Sequence, residues 1–225
     1  MLLTNTFTNA DCEAIAFSNE IEKGRIRTAV NSRMEANMTN NVSNKVKIMT
    51  VAALLSALGI AIPMIAPKII IEPASFTLAS HVAIFIAMFI SPVVAIAVAL
   101  ISGLGFFIAG FPLVVVLRAL THLIFATLGA FILKKNNNIL ISPKTSVPFA
   151  ILISLVHAIA EVSVVSLYYF GTGVAMSPYY IFVLVGVGTI VHSLVDFSIA
   201  SFVWVPLQHV LTIPANAKVR RISTN

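Results

Sequence analysis

The sequence holds a single cysteine, Cys12, among 225 residues. One thiol forms no internal disulfide framework and no multi-cysteine metal site. Charge is scarce too: 10% of residues are Asp, Glu, Lys or Arg, against about 25% in soluble domains. No GxxxxGK[ST] loop occurs, so the chain does not hydrolyse ATP by that route. No basic patch is interleaved with aromatics, which removes the usual signal for nucleic acid. The apolar runs are continuous rather than alternating, which excludes a transmembrane β-barrel. Acids are rare after the first forty residues. Asp11, Glu13, Glu20, Glu22 and Glu35 precede that point, and only Glu72, Glu161 and Asp196 follow it.

What is present is apolar. Hydrophobic residues make up 59% of the chain and mean hydropathy is +1.00. Such a chain belongs in lipid, as an integral membrane protein. Six apolar segments are legible, at about 47–65, 76–90, 93–110, 112–133, 147–170 and 179–205. The second, FTLASHVAIFIAMFI, is short for a core that takes about 20 helical residues. The fourth opens with Pro112, a good first-turn residue, and Pro206 is expected to end the sixth. APKIIIEPAS reads as an outer loop, KKNNNILISPKTS as a polar loop after the fourth span.

These segments predict an all-α fold, a polytopic membrane protein of six transmembrane helices. Residues 46–210 form its membrane domain. Residues 1–45 are polar and rich in Asn and Thr. They have neither the basic start nor the apolar centre of a secretory signal, and are expected to form a disordered cytoplasmic tail. Met34 and Met38 both precede the first apolar run, so a start later than Met1 is also expected. Residues 211–225 form a basic tail. Lys45 and Lys47, then Lys134, Lys135 and Lys144, then Lys218, Arg220 and Arg221 all fall on one side of six spans. The positive-inside rule makes that side, and both termini, cytoplasmic. Lys68 alone opposes this.

Ionisable residues inside spans are costly and mark function. Here they come four apart, on one helix face: Arg118 with His122, His157 with Glu161, His192 with Asp196. Lipid does not tolerate three such stripes, so the last three spans must turn them towards one another. At 1.5 Å per residue, Arg118 lies about 9 Å below the outer surface and Glu161 about 13 Å. With Lys68, Glu72, Ser75, Thr77 and His81 they suggest an outward-facing pocket. The plainer reading makes Arg118 and Glu161 a buried ion pair that fixes helix register, and His192 with Asp196 a self-satisfied pair. His81 and His122 taken singly read as ordinary interface residues, and His209 as interfacial. Tyr168, Tyr169, Tyr179 and Tyr180 fit an outer aromatic belt and Trp204 an inner one. In the first span Ala53, Ala57 and Ala61, with Ser56 and Gly59 close by, let another helix approach closely. Internal packing explains that spacing equally well.

The AxxxAxxxA first helix, the basic cytoplasmic side and the outer pocket resemble the substrate-binding S components of energy-coupling factor vitamin transporters. PASFTLASHVAIFIAMFISP, GLGFFIAGFP and LRALTHLIFATLGAFILKK are similar to the niacin-specific S components. The likeness covers about residues 45–210. It implies a vitamin-binding subunit in the plasma membrane that is not itself an enzyme and needs no cofactor. It implies as partners a transmembrane coupling protein, met by Ala53, Ala57 and Ala61, and two cytoplasmic ATPases. Nicotinic acid carries a carboxylate and a ring nitrogen. Arg118, the only arginine within the spans, suits the carboxylate. Glu161, His157 or His122 suit the ring nitrogen or the positioning of Arg118. His81 and Lys68 complete the expected substrate site, and no residue is assigned to a metal.

Three alternatives remain at this point. Another small anionic vitamin fits the same cationic pocket. An intramembrane metalloprotease would use His157, Glu161, His192 and Asp196, but HAIAE and HSLVD lack HExxH and no EExxxR occurs. An autonomous secondary carrier would show inverted repeats with interrupted helices, and none is visible.

Overall fold

A computed structural model of the chain describes residues 9–71, 74–210 and 213–219. Glu72, Arg220 and Arg221 lie outside the described residues, and so does the side chain of His209. The chain divides into two units, Met1–Val46 and Lys47–Asn225.

The first unit supplies the start of α1 (Asn9–Ile65). Where disorder is expected from the sequence, residues 9–45 are helical, and side chains 20–43 are exposed. Frequent Ala, Glu, Lys, Arg and Met, with no proline and only Gly24, give that stretch adequate helix propensity.

The second unit is a helical membrane domain. After α1 come two short strands, β1 (Lys68–Ile71) and β2 (Ala74–Thr77). Then follow α2 (Val82–Ile90), α3 (Pro92–Ile108), α4 (Leu113–Lys135) and a 3-10 turn at Ile139–Ile141. Next are α5 (Pro143–Thr172), a single turn α6 (Pro178–Tyr180), a π-helical stretch (Ile181–Val187) and α7 (Gly188–Val210). Four helical stretches among the described residues, Glu20–Ile65, Leu113–Lys135, Pro143–Thr172 and Pro178–Gln208, are long and apolar enough to cross a membrane. The protein is therefore an all-α, multi-pass membrane protein.

Local chemistry sets most boundaries. Ser91 caps α3 by accepting from Val94 N–H at 3.3 Å, with Pro92 at the first helical position. Ser142 and Pro143 start α5 in the same way. Two boundaries differ from expectation. Residues 74–77 form β2, so the second apolar helix begins at Val82. Ile69, Ile70 and Ile71 are β-branched and favour a strand. They pair antiparallel with β2, with Lys68 opposite Thr77 and Ile71 opposite Ala74. Pro206 sits inside α7, which continues to Val210.

α2 organises the core. All nine of its residues are buried, packed among α3, α4 and α7. A helix apolar on every side is stable only when enclosed, and enclosure lets it stay short. Its Phe85 and Phe89 meet Phe125, Phe197 and Trp204 in ring contacts with centroids 5.4–5.9 Å apart. Both ends of α2 are satisfied by distant chain. At its start the Asp196 carboxylate accepts from Ala79 N–H and His81 N–H, each at 2.9 Å. That contact holds Ala79 in the left-handed region, φ 64°. At its end Asn216 N–H donates to Ile90 C=O at 3.0 Å and Ala217 N–H to Phe89 C=O at 2.9 Å. Trp204 is not in an interfacial belt. It is fully buried and its Nε1–H donates to Ala217 C=O at 3.2 Å, fastening the tail segment.

α1 meets α3 through small residues. A Cβ on Gly59 would lie 2.6 Å from Ser102 Oγ, so the bare glycine lets the two helices approach without displacing that hydroxyl. Ser56 and Gly59 face inward, whereas Ala53 and Ala57 are exposed and Ala61 half-buried.

Candidate functional site

Above α2 lies a cavity of about 500 Å³. Its upper wall is the hairpin, with Lys68, Ala74, Ser75 and Thr77. Its sides come from α3 and α4, with Phe106, Val115, Arg118 and His122, and its far side from Glu161, Tyr168, Tyr169 and His192. Tyr168 and Tyr169 thus line the cavity, while Tyr179 and Tyr180 are exposed as a belt requires.

The three polar stripes do converge. Arg118 Nη2–H donates to Glu161 Oε2 at 2.9 Å, joining α4 to α5. Thr189 of α7 donates its hydroxyl to the same oxygen at 2.6 Å. The pair is deeply buried, with side chains 9% and 3% exposed. Glu161 spends one oxygen on these two donors. The Arg118 Nε–H is buried with no partner among the described residues. The guanidinium carries five N–H donors, so the ion pair leaves it with capacity at the cavity wall.

Four of the five histidines meet beneath this pair. His81 Nδ1–H donates to Asp196 Oδ2 at 3.1 Å, and its Nε2 lies 3.1 Å from His122 Nε2. The His81 ring stands 4.8 Å from both His157 and His192, centroid to centroid. His157 Nδ1 shares a 2.6 Å hydrogen bond with Ser193 Oγ, and His157 Nε2 is 3.4 Å from Glu161 Oε1. His192 Nε2 bonds Ser80 Oγ at 3.0 Å. Asp196 is not a simple i,i+4 partner of His192, which it approaches at 3.4 Å. It is instead the anion that closes the turn before α2.

Of the expected substrate residues, Arg118, Glu161, His122, His81 and Lys68 line the cavity, Lys68 from an exposed position at its mouth. His157 lies fully buried behind them. Thr189, Ser193, Ser80 and Phe76 belong to the constellation although the sequence reading passes over them. Phe76 places its ring 5.9 Å from the Arg118 guanidinium and 5.5 Å from the His192 ring. A Cβ on Gly188 would lie 2.5 Å from that ring, so the bare glycine lets Phe76 rest against the helix there. One signal for the hydroxyls was available. Thr189, His192, Ser193 and Asp196 recur at i, i+3, i+4 and i+7, a complete polar helix face. The π-helical stretch before them sets its phase; such stretches are frequent at functional sites.

No protein-family model and no solved structure matches the chain. The niacin transporter NiaX of Lactococcus lactis subsp. cremoris (strain MG1363) is 37% identical over 196 residues, covering 85% of each chain. The likeness drawn from the first helix, the outer stretch and the fourth span is thereby borne out, and the chain belongs to the family of the niacin transporter NiaX.

Proposed function

We propose that the chain is the niacin-binding S component of an energy-coupling factor importer. It captures nicotinic acid in the outward cavity and delivers it to the cytoplasm. The relative's name supports the vitamin, and one feature of the site carries the chemistry. Arg118 is a buried guanidinium at the cavity wall with an unspent Nε–H. A carboxylate entering there gains charge-assisted hydrogen bonds in a desolvated place. Glu161 and Thr189 hold the guanidinium in position, His122 offers a ring nitrogen towards the pyridine, His81 lines the floor beside it, and Lys68 attracts the anion at the mouth. The hairpin serves as lid, with Phe76 closing over Arg118.

The six-span topology, with both termini cytoplasmic, belongs to the same proposal. Residues 1–45 and 211–225 flank the membrane domain on the cytoplasmic side, where the basic clusters collect. Ala53 and Ala57 are exposed on α1 beside Leu54 and Leu58. An exposed small-residue stripe suits a partner helix better than internal packing. The partner is a membrane coupling protein seated on two ATPases, which the chain needs because it carries no phosphate-binding loop. Nothing in this arrangement calls for catalysis.

The direct test is titration of the purified protein with nicotinic acid, nicotinamide and a panel of other anionic vitamins. Saturable binding of nicotinic acid, roughly 2- to 30-fold tighter than nicotinamide, is expected. Preference for another anionic vitamin would retain the architecture and replace the substrate.

A further inference from the structure

We propose that His81, His122, His157 and Glu161 form a site for one divalent transition-metal ion of zinc type at the floor of the cavity. Their donor atoms lie within 4.8 Å of one another and all four residues are buried. Zinc takes three or four such ligands, at about 2.0–2.1 Å, which puts neighbouring donors of a tetrahedron roughly 3.3 Å apart. His81 Nε2 and His122 Nε2 are 3.1 Å apart, and His157 Nε2 and Glu161 Oε1 3.4 Å.

The supporting hydrogen bonds suit ligation. Metal-bound histidines commonly donate their second nitrogen to a carboxylate or another polar group, which fixes tautomer and ring direction. His81 gives Nδ1–H to Asp196, leaving Nε2 as a lone-pair donor. His157 engages Ser193 through Nδ1, and its Nε2 is buried with no hydrogen-bond partner among the described residues. A buried polar atom without a partner is costly, and an ion between the four donors satisfies it. Glu161 divides its oxygens in the same sense: Oε2 takes Arg118 and Thr189, while Oε1 faces His157. A second grouping, His81 with His192 and Asp196, is a weaker candidate. The Asp196 oxygens are already occupied by the Ala79 and His81 N–H groups and the His81 ring.

Charge favours the ion independently. With the four histidines counted neutral, Arg118, Glu161 and Asp196 leave one net negative charge in a buried site. A bound carboxylate would double it. A divalent ion turns the balance to one net positive charge, which a single carboxylate cancels. This charge argument rests on the nicotinic acid reading; the ligand set does not. The ion would also tie the hairpin turn, α4 and α5 together at the base of the cavity.

The test uses the full chain purified in detergent with a tag free of histidine. Metal content is measured by plasma mass spectrometry. Chelator-stripped protein is then titrated with Zn²⁺, and with Co²⁺ while its visible absorption is followed. Stoichiometric zinc and intense cobalt bands typical of four-coordination are expected. Asp196→Asn should weaken zinc binding about 10- to 100-fold, and His157→Gln, which removes a ligand, should weaken it more. Stripping should lower nicotinate affinity at least about tenfold and nicotinamide affinity less. Substoichiometric metal in the wild type together with no saturable Zn²⁺ binding overturns the proposal. If that metal-blind protein still binds nicotinate, the vitamin reading stands alone. If zinc binds but nicotinate does not in any state, the vitamin reading falls and the metal site stands.

Discussion

Replacing Arg118 by Gln separates the ion pair seen in the fold from the carboxylate-binding role proposed for the same side chain. The first is structural. Glu161 is 3% exposed, and among the described residues Arg118 is the one permanently charged cation paired with it. Removing one member of a buried pair typically costs about 3–5 kcal/mol, because the remaining charge is stranded. Thr189 and His157 still touch Glu161, so the lower end of that range is expected. Replacing both charges is far milder and often neutral, so Arg118→Gln/Glu161→Gln should be more stable than Arg118→Gln. The second role is recognition. A charge-assisted hydrogen bond contributes about 1.5–3 kcal/mol against about 1 for a neutral one. The difference of about 0.5–2 kcal/mol for one such bond should favour nicotinic acid over nicotinamide roughly 2- to 30-fold in the wild type. Arg118→Gln should lose most of that preference, and Arg118→Lys should keep part, since charge remains without the planar fork. The assay is thermal unfolding in detergent for each variant, then paired titration of both ligands against those that fold. Full acid preference in Arg118→Gln would remove Arg118 as the carboxylate ligand and pass the role to Lys68. A double variant no more stable than the single one would show that the pair is not what strands Glu161.

Ala57→Leu places a bulky side chain on the exposed stripe of α1; vitamin binding should persist while co-purification with the coupling protein and ATPases falls, and normal complex yield would refute the interface. Gly188→Ala should push Phe76 off α7, since the added methyl would lie 2.5 Å from its ring; faster nicotinate release in stopped-flow measurements is expected. Hydrogen exchange at described residues 68–71 and 74–77 should slow when nicotinate saturates the wild type, and unchanged exchange would argue against a lid. Trp204→Phe keeps ring packing but loses the bond to Ala217; a stability loss of about 0.5–1.5 kcal/mol is expected from denaturant unfolding.

The helices and the convergence of Arg118 with Glu161 were legible because burying charge in lipid leaves few arrangements open. Depth counted at 1.5 Å per residue was enough to put those two at one level. The hairpin was not legible, because the prolines around KIII suggested a loop and hid a β-branched run. Thr189 and Ser193 were missed for another reason. A lone hydroxyl in a span can satisfy itself on its own helix, so each signals a site only through the helix face it shares with His192 and Asp196. Trp204 was misplaced because the belt tendency is statistical, whereas its indole N–H found a specific carbonyl. Asp196 was misread because its partners, the N–H groups of Ala79 and His81, lie more than a hundred residues earlier and belong to the backbone.

The distant capping of α2 bears on how the protein is made. A nine-residue helix is about 13.5 Å long, less than half the roughly 30 Å hydrocarbon core. As it leaves the ribosome, its first N–H groups lack Asp196 and its last carbonyls lack Asn216 and Ala217. Unsatisfied backbone groups are not tolerated in lipid, so the nascent segment has no stable transmembrane position of its own. Its place in the bundle therefore depends on groups in α7 and the tail that are synthesised later. His81 begins that segment and lines the cavity, so the cavity's floor depends on the same later-made groups. A chain clipped before α7 would keep Arg118 and Glu161 but lack Thr189, His192 and Asp196, and with them part of the cavity wall and the cap of α2.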